Sequence, residues 1–165
     1  MGAIRSLDMS DVSARNHMYD LVQKNPDTEV AFALGGVVRW TTAILKDVFE
    51  YEGASKQEWQ VSFDSRVAQK THQKIISQNH TVIGVWHDHL EDKWHAHDFS
   101  GQDKESIAQQ DEDLHLLAYK TQEWSVQLKL VDTAMRPVPV YVHGVRMDIA
   151  EVFNDGKVSE YKQAA

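Results

Sequence analysis

The sequence predicts an α+β fold, one mixed β-sheet sandwiched by helices in a single domain. Three observations predict it. Strand-like apolar patterns occur both before and after two or three helical segments. An apolar run at Val82, Ile83, Val85 and Trp86 reads as a buried central strand. A length of 165 residues with 42 % hydrophobic content suits one core. The domain is expected to span residues 1–165, with its core over about 10–153, and no repeat, low-complexity segment or linker interrupts it.

Taken in order, Met1 to Met9 reads as a short arm. Ser10 to Lys24 reads as a helix, capped by Ser10 or Asp11, with Val12, Met18, Leu21 and Val22 on one face. Asn25-Pro26-Asp27 is a stop and turn. Glu29 to Leu34 is a short strand ended by Gly35-Gly36, and Val37 to Trp40 and Ile44 to Tyr51 are further strands. Trp59, Val61 and Phe63 alternate as in a half-buried strand. Asp64 caps a helix to about Gln78, with Val67, Ile75 and Ile76 as inner positions. Asn79-His80 breaks it, and the central strand follows. A helix is expected from about Asp103 to Gln110. Leu114 to Tyr119, Trp124 to Val131, Pro137 to His143 and Met147 to Phe153 read as strands. Asn154-Asp155-Gly156 is a turn signal, with Lys157 to Tyr161 pairing back.

The totals exclude several classes of function. The formal charge is −8 without a Lys/Arg block, which argues against a nucleic-acid partner. No apolar stretch is long enough to span a bilayer, and no signal-peptide core is visible, so no membrane partner is expected. The chain has no Cys, which removes disulfides, thiolate zinc sites and Cys nucleophiles together. The cytoplasm is the default compartment, and export by a non-classical route is compatible with the same composition. The sequence does not fix the oligomeric state.

The chemistry gathers where the central strand ends, in His87-Asp88-His89. Residues two apart on an extended strand share a face, so His87 and His89 present two imidazoles side by side. Asp103 can return a carboxylate to that point. Two imidazoles and one carboxylate leave an open fourth position on a tetrahedral zinc, as hydrolytic sites require. The ordinary alternative is a solvated His pair at a strand end. His-x-His is a weak signal alone, and the chain holds a second, His95-Ala96-His97. What singles out the first pair is its place after a buried strand, with Ser-x-x-Asp downstream. Glu29, at the start of an apolar strand, is the candidate general base, against a plain surface carboxylate. Ser100 is the candidate donor to an oxyanion, or the N-cap of the following helix.

These residues carry a resemblance. Glu29 in TEVAFALGG, the elements leading to VIGVWHDH, and then FSGQD resemble the JAB/MPN metalloprotease family and its JAMM motif, over about residues 26–110. The motif is Glu, His-x-His, seven residues, then Ser-x-x-Asp. The resemblance implies a JAB/MPN fold, related to that of cytidine deaminases. It implies zinc held by His87, His89 and Asp103, Glu29 activating the water, and Ser100 stabilising the tetrahedral intermediate. Here ten residues separate His89 from Ser100, Leu90 stands where the family usually has Pro, and Asp88 stands where Ser or Thr is frequent. The extra residues fall in a loop holding Trp94, His95 and His97. That loop reads as a cover over the metal that offers substrate an apolar face, as a source of a replacement ligand, or as an exposed polar loop. His72, His80, His115 and His143 read as surface or strand-end residues, and the Trp residues as mostly core, with Trp86 pointing away from His87.

The sequence therefore predicts a zinc-dependent peptidase or isopeptidase. Its metal-activated water would attack a peptide or Lys-linked isopeptide carbonyl in a protein or peptide substrate, a ubiquitin-like conjugate among the candidates. Substrate is expected to enter extended, pairing with a sheet-edge strand beside the site. The competing readings are a catalytically silent JAB-fold binding or scaffold module, and a JAB-type phage or toxin-system effector acting on another bond.

Overall fold

In the computed structural model the described residues are 4–24, 30–51, 55–56, 61–62, 65–90, 114–120 and 126–153. Asp11 begins the first helix, its Oδ1 accepting from the Ala14 N–H at 3.0 Å, the bond expected of an N-cap. Helix α1 (Val12–Lys24) then buries Ala14, Arg15, Met18, Leu21 and Val22. Val12, expected on that face, is 38 % exposed because it occupies the first turn, outside the apolar stripe.

Among the described residues eight strands form one mixed sheet. They are β1 (Ser6–Asp8), β2 (Ala31–Arg39), β3 (Thr42–Glu50), β6 (Thr81–Leu90), β7 (Leu114–Lys120), β8 (Val126–Asp132), β9 (Val140–Val142) and β10 (Val145–Met147), in the order β10-β9-β1-β3-β2-β6-β7-β8. The pair β4 (Ser55–Lys56) and β5 (Val61–Ser62) forms a separate antiparallel ladder. Helix α2 (Ser65–Ser77) connects that pair to β6.

The two faces of the sheet follow from alternation along β2 and β6, which in β6 is offset by one residue at the register shift beside Ile83. Phe32, Leu34, Ile83 and Trp86 belong to the larger core with Met18, Leu21 and Val22 of α1. Ala31, Ala33 and Val85 face the other way, into a smaller core with Ile75, Val67 and Ala68 of α2. Trp86 is fully buried and stacks on Phe32, with ring centroids 4.9 Å apart. Burying a side chain such as Phe32 contributes about 2–3 kcal/mol, so this stack anchors β2 to β6 near the His pair.

Several expectations are corrected. Helices do cover both faces, but the sheet is a half-barrel rather than a clear sandwich. Strand twist and the register shifts along both borders of β2 favour that curl. Gly35-Gly36 does not end a strand. β2 runs through both, and the glycines sit where its registers with β3 and β6 shift. A Cβ on Gly36 would lie 1.9 Å from the Ile44 carbonyl oxygen, so the close approach of β3 requires glycine there.

Part of the expected N-terminal arm is strand β1, parallel to both β3 and β9. Residues 149–153 are helical, not strand. Asp148 caps them, its Oδ1 accepting from the Ala150 N–H at 2.8 Å, and Val152 and Phe153 are buried. Ile76, expected inside, is 54 % exposed, because one residue after the buried Ile75 the helix has turned away. Trp59 and Phe63, the helix at 103–110, and everything beyond 153 lie outside the described residues. No helix among the described residues is long and apolar enough to cross a membrane.

Candidate metal centre

β6 continues through His87, Asp88 and His89 to Leu90, so the two His positions keep the spacing of an extended strand. The strand lies inside the sheet. β2 pairs antiparallel with it, Ala31 opposite His87, and β7 pairs parallel with it as far as Leu90 opposite Lys120. The sheet edges are β10 and β8. The expected edge strand beside the site is therefore absent among the described residues: each strand flanking β6 is itself paired on its far side.

His87 shares the face of Ala31, since directly paired residues project to the same side. It is half-buried, with its Nε2 atom shielded from solvent. One strand further on, the Tyr51 N–H donates to the Ala31 carbonyl at 3.3 Å. Tyr51, Ala31 and His87 thus form a row across the sheet on the α2 side. At a strand spacing of about 4.8 Å, Tyr51 stands roughly 10 Å from His87. The Tyr51 hydroxyl is 3.0 Å from Nε2 of His72 on α2, and the two rings meet edge to face.

Asp88 faces the opposite side and is fully buried. Its N–H donates to the Val30 carbonyl at 3.3 Å, and its Oδ1 accepts from the Val30 N–H at 2.8 Å. A buried carboxylate is costly unless hydrogen-bonded, and this one is held by the backbone that leads into β2. Sequence reasoning noted Asp88 only as a departure from a motif. The signal was present nonetheless: strand alternation puts the middle residue of His-x-His on the buried face, where a carboxylate needs a donor.

Of the expected site residues, His87 and His89 lie in β6 as anticipated. Glu29, Ser100, Asp103, Trp94, His95 and His97 lie outside the described residues. Among the described residues no three His, Asp or Glu side chains converge on a single point. The imidazole of His87, its Nε2 shielded from water on an interior strand, is a donor of the kind zinc takes. The other His residues are varied. His115 stands near the start of β7, as one of its two expected places has it, and is 3 % exposed because β7 is flanked by β6 and β8. His80 pairs with Asp47, tying the end of α2 to β3. His143 is exposed in the β9–β10 turn.

No protein-family profile and no curated protein matches the sequence. Solved structures do share its architecture. The chain is similar to protein DSY2949 from Desulfitobacterium hafniense, at 14 % identity and a TM-score of 0.58, over 84 % of this chain and 93 % of that one. It is also similar to AF2198 from Archaeoglobus fulgidus, a JAB1/MPN domain protein, at 11 % identity and a TM-score of 0.51, over 83 % and 97 %. The fold is JAB1/MPN-like. At these identities the likeness speaks for the fold alone, and within it the His-x-His strand β6, beside β2, is the part that carries the candidate chemistry.

Proposed function

We propose that the chain is a zinc-dependent amide-bond hydrolase of the JAB/JAMM type, acting on a peptide or Lys-linked isopeptide bond. His87, His89 and Asp103 would hold the metal. Bound there, zinc supplies Lewis acidity and brings the pKa of water towards neutrality. Glu29 takes a proton from the attacking water and returns it to the departing amine. Ser100 donates a hydrogen bond to the carbonyl oxygen as charge develops on it.

The observation that carries this reading is the double hydrogen bond between Asp88 and Val30. It joins the centre of the His-x-His sequence to the residue that follows Glu29 in the chain. It supports the reading because the motif draws on both of those segments of sequence. The JAB1/MPN-like fold supports the same reading. The test is elemental analysis of gently purified protein, followed by zinc titration. Near-stoichiometric zinc is expected. Absence of both native and titrated zinc would leave a binding module of this fold, not an enzyme.

A further inference from the structure

We infer that Arg15 of α1 is the cation of a binding site for a small carboxylate, on the side of the sheet opposite His87. The site stands apart from the proposed metal centre. Helix α1 packs with Phe32 and Trp86 on one face of the sheet, whereas His87 shares the other face with Ala31.

Arg15 is only 6 % exposed. A guanidinium does not lose its charge to escape burial, so a shielded one calls for an anion. Its Nε is closed off from solvent and has no hydrogen-bond partner. Among the described residues no carboxylate forms an ion pair with it. The carboxylate one turn earlier, Asp11, is engaged elsewhere. Its Oδ1 accepts from the Ala14 N–H at 3.0 Å, and its Oδ2 stands 3.9 Å from Nζ of Lys46 on β3. A buried charge left without a counter-charge destabilises the fold, and a bound anion removes that strain.

The surroundings select the class of anion. Helical side chains lean towards the N-terminus, which directs Arg15 to the first turn of α1. That turn carries no acidic side chain and holds the positive end of the helix dipole. The next residue, Asn16, has a shielded Oδ1 that also lacks a partner. Such an acceptor disfavours a ligand crowded with bare oxygens. One guanidinium balances one negative charge, and the chain as a whole carries −8. A carboxylate meets these limits, being planar, singly charged and matched to the guanidinium fork by two parallel hydrogen bonds. Phosphate near neutrality carries more than one charge. With so little of Arg15 open to solvent, the ligand is small or offers its carboxylate on a slender end.

The test is thermal unfolding of the full chain and of Arg15→Met near neutral pH, in sodium formate, phosphate or chloride at equal ionic strength. Formate should raise the midpoint of the unaltered chain by about 3 °C or more over chloride, saturating as one site fills. The Arg15 Nε–H resonance should move along the same titration. Arg15→Met keeps most of the side-chain volume without the charge. It should show no formate response, and in chloride its midpoint should equal or exceed that of the unaltered chain. No formate response in the unaltered chain overturns the inference, even if Arg15→Met does not fold. So does an equal response in Arg15→Met, or a rise without saturation, which is the general effect of an excluded salt. A larger rise in phosphate than in formate overturns the choice of carboxylate. Arg15→Met less stable than the unaltered chain in chloride would show that the guanidinium already has its partner within the chain, and overturns the site. None of these readings involves zinc, so the hydrolase reading stands or falls separately.

Discussion

The hydroxyl of Tyr51 and Nε2 of His72 stand 3.0 Å apart, joining the end of β3 to the middle of α2 on the face of the sheet that His87 shares. Tyr51 is 1 % exposed, so its hydroxyl group is satisfied by protein and not by bulk water. Tyr51→Phe should cost about 1 kcal/mol, the net worth of an ordinary hydrogen bond, read as a lower midpoint in urea unfolding at unchanged slope. Because the ring remains, zinc stoichiometry should not change. An unfolding curve identical to that of the unaltered chain would show that the pair contributes nothing.

His87→Ala should lower bound zinc well below stoichiometric, and Asp103→Ala should do the same, since the proposed three-ligand site would lose a third of its donors in either case. Elemental analysis of the variants checks this. Deleting Lys93 to Ala96 separates the loop from the site. Unchanged zinc affinity would show that His95 is not a ligand.

Glu29→Gln should keep the metal and lose turnover by about 10²–10⁴-fold, the usual share of general acid–base catalysis. Single-turnover rates beside zinc content test it. Retained activity would remove Glu29 from the role of base.

Gly36→Ala should destabilise by about 3 kcal/mol, the upper range for overpacking, because its Cβ would meet the Ile44 carbonyl oxygen at 1.9 Å and one strand must move. Gly35→Ala should cost less. Its Cβ would meet Ile75 Cγ2 at 2.8 Å, and a side chain can give way where a backbone cannot. Equal losses in thermal unfolding would contradict that ordering.

Trp40→Gly should stabilise by about 1 kcal/mol. Pairing of Arg39 with Thr42 leaves Trp40 and Thr41 as a two-residue hairpin loop, and Trp40 has φ 57°. A positive φ at the first loop position suits glycine, and a bulky residue pays for it in strain. Trp40 is also 96 % exposed, so little packing is lost. A fall in melting temperature would show that the indole has a partner worth keeping.

The sequence made the central elements legible because their periodicity is strong. The α1 and α2 helices and the run into His87 stand where apolar spacing put them. The errors have physical causes. Gly35-Gly36 reads as a terminator, but tertiary contact makes it a strand interior that accommodates close neighbours. Met147 to Phe153 read as a strand from its apolar content, while the Asp148 cap and burial of Val152 and Phe153 make residues 149–153 helical. β1 has three residues, and its parallel pairing with β3 and β9 comes from distant parts of the chain that no local pattern announces. At the candidate site the His spacing was visible. Alternation also showed that a carboxylate at Asp88 needs a donor, but not which one, since a hydrogen bond spanning 58 residues leaves no mark on spacing.

The twin glycines of β2 have a mechanical meaning. The ladders on both of its borders change step at Gly35 and Gly36, so the hairpin tip and the histidine end are two short rods in series with a joint between them. Register shifts bend a strand and interrupt its ladders, so the tip and the histidine end need not share one direction. The tip, with Trp40 96 % exposed and at the opposite end of β2 from Ala31, is therefore the place to fix a fluorophore or a surface tether.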